Sequence, residues 1–162
     1  MYRALFVAGL ISFGIVAAAQ QSGQQPTVSR ASQAKFLNLA NLPNCMTVAV
    51  ERGDPGKNSS SVLVRLQPSC DSRTHWHSAD ASVLAVAGST QLEIKGEKTL
   101  SLQRGDFIYM PSHHIHGERC VGPAPCTFFV ELYGPFDVHY VDAAGKEIPV
   151  EEALKASAKA GN

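Results

Sequence analysis

The tripeptide His75-Trp76-His77 constrains this chain more than any other stretch. Two imidazoles separated by one residue share a face only where the backbone repeats every second residue, as a β-strand does. The flanks agree with a strand. Residues 62–66 (Val-Leu-Val-Arg-Leu) and 83–86 (Val-Leu-Ala-Val) are β-branched or apolar runs of strand length, bounded by Pro68, Ser69 and Gly88. Neighbouring imidazoles inside a β-structure make half of a metal site. Imidazole nitrogen suits Zn, Cu, Fe and Ni, and Mn joins them when oxygen ligands are added. What completes the pair, and what encloses it, has to come from the rest of the chain.

A chain of 162 residues fits one domain with terminal extensions. Hydrophobic residues make up 44% and charged residues 17%, which allows a packed core and speaks against wholesale disorder. Fourteen basic and fourteen acidic residues cancel, so neither a nucleic-acid partner nor electrostatic membrane binding is expected. Thirteen glycines and nine prolines scattered among short apolar runs predict an all-β design with many turns. About ten short strands are predicted, over residues 45–50, 61–66, the histidine pair, 82–86, 90–94, 99–102, 107–110, 114–118, 127–132 and 136–141. Residues 52–58, Gly88-Ser89, residues 95–98 and Gly105-Asp106 read as turns. Residues 35–42 pack on the body as a strand or a loop. Only residues 150–160 read as helix, with Glu151 and Glu152 in the first turn and Lys155 and Lys159 later.

The N-terminus reads as a targeting segment. Arg3, the apolar residues 4–16 and the small triplet Ala17-Ala18-Ala19 have the order of a signal peptide, residues 1–19. The apolar run falls short of the ~20 residues needed to span a bilayer, so no membrane insertion is expected once the signal is removed. Residues 20–34, rich in Gln, Ser and Pro, read as a flexible lead-in; residues 35–149 form the β-domain and residues 150–162 a C-terminal helix and tail. The expected location is periplasmic or secreted. Export puts Cys45, Cys70, Cys120 and Cys126 in an oxidising compartment. Four cysteines allow three connectivities. The short loop between Cys120 and Cys126 predicts a local pair and leaves Cys45 to Cys70; the alternative is free, buried thiols. A cysteine zinc site is disfavoured, because no Cys-x-x-Cys pair is present.

The candidates to complete the metal site are His113, His114, His116 and His139, with nearby carboxylates. His116 stands out by context. It follows a Gly-Asp turn, the apolar run Phe107-Ile108-Tyr109-Met110 and Pro111, as a strand returning across a barrel would. At this point the chain resembles a family. Residues 53–142 look like a single-domain cupin, a small antiparallel β-barrel of the jelly-roll type. The first cupin motif joins His-x-His to a downstream Glu and Gly; His75, His77 and Gly88 fit, and the Glu position falls on Ala81. The second joins Gly, Pro, Gly and His; Gly105, Pro111 and His116 fit, and the inner Gly position holds His113. Glycine is favoured there because it adopts positive φ freely, whereas histidine does so at a cost. Residues 133–141 (Tyr-Gly-Pro-Phe-Asp-Val-His-Tyr-Val) resemble the end of exported cupins.

The resemblance implies an antiparallel jelly-roll barrel with a short C-terminal helix, and a divalent metal held by His75, His77 and His116. Without the motif carboxylate the implied set is three neutral imidazoles, as some zinc enzymes use with water in the fourth position. Loss of an anionic ligand weakens the hold on Mn and favours Zn, Cu or Fe; Ni also remains open. Asp80 and Glu118 are the carboxylates that could substitute. Asp80 is one residue off the vacant position, which flips faces on a strand, whereas Glu118 shares the face of His116 if that strand continues. His113, His114 and His139 are expected outside the ligand set, and Trp76 is expected to point out of the barrel. Two function classes follow. One is a metalloenzyme acting on a small organic substrate, for instance by dioxygenase-like cleavage of an enol or phenol; no nucleophile–base pair is evident, so the metal would carry the chemistry. The other is a non-catalytic or degenerate cupin that binds a small ligand. A homodimer is compatible with either.

Overall fold

The computed structural model describes residues 25–158, so the expected signal peptide, residues 1–19, lies outside the described residues. Ten strands and one α-helix follow in order: β1 (Met46–Gly53), β2 (Ser60–Leu66), β3 (His75–Trp76), β4 (Ala81–Ala87), β5 (Ser89–Ile94), β6 (Leu100–Gln103), β7 (Phe107–Met110), β8 (His116–Val121), β9 (Cys126–Leu132), β10 (His139–Tyr140) and α1 (Val150–Ala158). They form two five-stranded sheets, in the orders β1-β2-β9-β4-β7 and β10-β3-β8-β5-β6. Every pairing is antiparallel. The two sheets face each other as an all-β jelly-roll barrel.

The strand period decides what the barrel encloses. On β2, Val62, Val64 and Leu66 point inward, as do Phe128, Val130 and Leu132 on β9 and Ala81 and Val83 on β4. Register carries this across the sheet, because Val130 faces Val62 on one side and Val83 on the other. Leu92, Leu102 and Met110 close a second buried cluster. Residues 35–42 form one bridge, Leu37 to Val48, and are otherwise loop. Leu39 and Leu42 from this segment pack on the core.

Two local readings change and one is extended. The turn at Gly88-Ser89 is a crossing: β4 and β5 lie in different sheets, and the chain passes between them here. Its φ is +82°, and a Cβ would lie 2.7 Å from Cys126 Cα, so only glycine fits. The strand predicted over residues 136–141 shrinks to β10. Phe136 donates its N–H to Pro55 O instead of to a sheet, and Asp137 turns its carboxylate onto the Ser78 N–H. The strand predicted from residue 114 starts at His116, because the turn after Pro111 places His113 at φ +62°. Cys45–Cys70 and Cys120–Cys126 are disulfides, each with a Cα separation of 5.7 Å. The second joins β8 to β9 and so ties one sheet to the other.

Candidate metal centre

His75 sits on β3, His77 one residue beyond its end, and His116 opens β8 directly opposite His75. The strand alternation aims both β3-side imidazoles inward, and the pairing brings the third to meet them. Their ring nitrogens lie within 4.8 Å of one another, a grouping that could hold a metal ion. The outer nitrogen of each ring is committed to the backbone. His75 Nδ1–H donates to Arg73 O at 2.7 Å, His116 Nδ1–H to His114 O at 2.8 Å, and His77 Nδ1–H to Asp137 O. A neutral imidazole has one donor nitrogen and one acceptor, so these carbonyls fix the tautomer and leave a lone pair on every Nε2.

The consequence is electrostatic. His75 Nε2 and His77 Nε2 are 3.1 Å apart with no proton between them in that tautomer. Two lone pairs at that distance repel unless a cation sits between. A proton is a poor candidate: burial pushes His75 down to about 3, against the pull of Glu118, and burial likewise lowers His77. A metal fits better. Nitrogens about 2.1 Å from one ion lie about 3.0 Å apart at right angles and about 3.4 Å apart in a tetrahedron.

The cluster lines a cavity of about 510 Å³ between the sheets. Its walls are aliphatic and aromatic, with Val64, Val83, Leu92, Met110, Phe128 and Phe136 among them. The polar groups gather at the histidines, where Ser72 and Glu118 also reach the cavity. The other histidines lie elsewhere. His139 stacks on Trp76 at 3.8 Å and bonds Glu147 and Asp137; burial opposes its protonation, but these two carboxylates outweigh it and raise its pKa. His113 stacks on Trp76 at 4.6 Å, which fills the outer side of β3. His114 is exposed and contributes its carbonyl rather than its ring.

A family model described as "Cupin domain" matches residues 62–133, which contain all three clustered histidines. The chain carries a cupin domain. Solved structures share its fold at low identity. A polyketide cyclase, RemF from Streptomyces resistomycificus, is 16% identical with TM-score 0.61, covering 80% of this chain and 99% of its own. An RmlC-like cupin protein from Ralstonia eutropha is 17% identical with TM-score 0.61, covering 84% and 88%. The DMSP lyase DddQ from Ruegeria pomeroyi is 18% identical with TM-score 0.57, covering 70% and 63%. No curated protein matches the sequence significantly.

The cupin domain departs from the family motif where the sequence does. Ala81, at the motif's carboxylate position, is buried and lines the cavity. Asp80, next to it, faces away, its oxygens taken by the Ser112 N–H at 2.8 Å and the Tyr109 hydroxyl at 2.7 Å. Glu118 faces the cavity, two residues past His116 on the same strand face. Its Oε1 lies 3.5 Å from His116 Nε2, and its Oε2 accepts the Ser72 hydroxyl at 2.6 Å. Burial works to raise the Glu118 pKa, but the charge that His116 and His75 carry when protonated and the Ser72 hydroxyl outweigh it and lower it. Ser72 and the carbonyls of Arg73, His114 and Asp137 escaped the sequence reading. Backbone acceptors carry no residue signature, and a lone Ser upstream of the histidine pair has none either.

Proposed function

We propose that this chain is an exported cupin that holds a divalent transition metal through His75, His77 and His116 and acts on a small, largely apolar organic molecule. The observation that carries the reading is the convergence of three tautomer-fixed Nε2 lone pairs at the polar end of an apolar cavity. Neutral imidazole is the protonation state that a metal requires. A bound metal supplies Lewis acidity and open positions for a substrate oxygen or for dioxygen. The protein's own contribution is orientation and exclusion. The three carbonyls hold the rings, and the aliphatic walls favour an apolar body while keeping water out. Lys35 is the one Lys or Arg among the lining residues, which disfavours a polyanionic substrate and suits a neutral enol or phenol. Two disulfides fit an oxidising compartment and support export together with the signal-like N-terminus.

Elemental analysis of the purified mature protein tests the metal. Fe²⁺, Mn²⁺, Zn²⁺ and Cu²⁺ are then added back while enols and phenols are screened for turnover and oxygen uptake. Turnover that depends on one metal supports a metalloenzyme. A second reading, a non-catalytic binder, is favoured by Ala81 in place of the motif carboxylate; metal-independent retention of the same apolar compounds without turnover would select it.

A further inference from the structure

We propose that Glu118, on β8, takes over the role of the carboxylate missing at position 81, so that the site is three histidines and one glutamate rather than three histidines alone. The inference rests on the metal-binding reading above and adds a ligand that the cupin motif does not place there. Strand geometry puts Glu118 on the right side: residues two apart on β8 share a face, and both His116 and Glu118 line the cavity. The contact between them is the second observation. His116 Nδ1–H is already donated to His114 O, so in the neutral ring that a metal requires its Nε2 carries a lone pair and not a proton. Glu118 Oε1 nevertheless lies 3.5 Å from that Nε2, oxygen facing lone pair. The contact resembles that of His75 and His77 at 3.1 Å; the ligand atoms within 4.8 Å of one another are those of His75, His77 and His116, so Glu118 reaches the same cation by a turn of its side chain. A separation near 3.4 Å is that of two donors about 2.1 Å from one tetrahedral ion.

The carboxylate is also held in place. Ser72, fully buried, donates its hydroxyl to Oε2 and accepts the Glu118 N–H at 2.7 Å. One oxygen is fixed and the other is left toward the cluster, the usual arrangement for a carboxylate ligand with an outer hydrogen-bond partner. Asp80, the alternative carboxylate, is tied to Ser112 and Tyr109. An anionic oxygen added to three imidazoles strengthens the hold on hard cations most, so the site should accept Mn²⁺ or Fe²⁺ as well as Zn²⁺.

The test titrates metal-free full-length mature protein with Mn²⁺ and with Zn²⁺. Wild type should bind both. Glu118→Ala should weaken Mn²⁺ binding by about tenfold or more, and Zn²⁺ binding less, with the unfolding temperature of the metal-free protein little changed. Adding Ala81→Glu to Glu118→Ala should restore Mn²⁺ binding, because the carboxylate returns from the opposite wall. If Glu118→Ala does not fold, wild type grown with ¹³C-labelled glutamate and loaded with Mn²⁺ gives the same answer: electron–nuclear double resonance should show a directly bound carboxylate carbon. Unchanged affinities in Glu118→Ala, an equal loss for both metals that Ala81→Glu does not restore, or no directly bound carbon would overturn the role of Glu118 while leaving the three histidines standing. Wild type that binds neither metal would overturn both.

Discussion

With each clustered Nδ1–H committed to a carbonyl, whatever reaches the three Nε2 atoms decides what the residues do. In metal-free protein that is acid. His75 is held neutral in the folded state, with a pKa of about 3 against an ordinary 6.5. Below 6.5 the unfolded chain takes up a proton that the folded one refuses, so folding stability falls as pH drops from 6.5 toward 3. His77 is shifted the same way. Thermal unfolding of the metal-free protein should therefore move to lower temperature between pH 7 and 4, and His75→Gln should flatten that slope. A slope unchanged by His75→Gln would remove burial of this imidazole as the cause. The histidine pair and His116 were legible in the sequence because ligand residues must be particular types at particular spacings. The vacancy at Ala81 was legible for the same reason. Ser72 and the three carbonyls were not, since their role comes from position in space alone.

Among the elements, β8 brings His116 to the pair beside β3, and its close approach to the segment before β3 runs through one residue. A Cβ on Gly117 would lie 3.0 Å from Arg73 O, the acceptor that fixes His75. Gly117→Ala should displace that carbonyl, loosen the His75 tautomer and weaken metal binding about tenfold, the low end of what outer partners contribute. An affinity equal to wild type in calorimetry would show that the carbonyl gives way without consequence. The Cys120–Cys126 disulfide anchors the other end of β8 to β9. Native disulfides contribute ~2–5 kcal/mol in small domains, so reduction should lower the unfolding temperature without abolishing the barrel. Collapse to an unfolded chain on reduction would contradict a barrel held mainly by its core. Strand number was readable from turn residues and alternation. The short β10 was not, because the apolar residues around Phe136 and Val138 look strand-like but pack as loop against the core. The turn at Gly88 was legible but its crossing was not, because glycine signals a turn without saying which sheet the chain enters next.

At the scale of the whole molecule, two sheets enclose an apolar cavity with its polar groups gathered at one place, and the disulfides suit a protein that works outside the reducing cytoplasm. Among the described residues no helix is long and apolar enough to cross a membrane. The mature chain is expected to begin near Gln20, and intact mass of protein recovered from a periplasmic fraction checks it; Met1 still attached to cytoplasmic protein would contradict export. The jelly-roll architecture was legible from two motifs in order, whereas the contents of the cavity depend on which strand faces turn inward and needed the register. In the proposed site His75 and His77, on and just beyond β3, and His116, on β8, hold one divalent metal, and calorimetric titration of metal-free protein with Zn²⁺ tests this most directly. Wild type and His139→Ala should bind alike, since His139 stacks on Trp76 outside the cluster, while His116→Ala should weaken Zn²⁺ binding by at least about tenfold, because one of the three clustered imidazoles is gone. Equal affinity in wild type and His116→Ala would contradict the account and leave the barrel as a metal-free binding module.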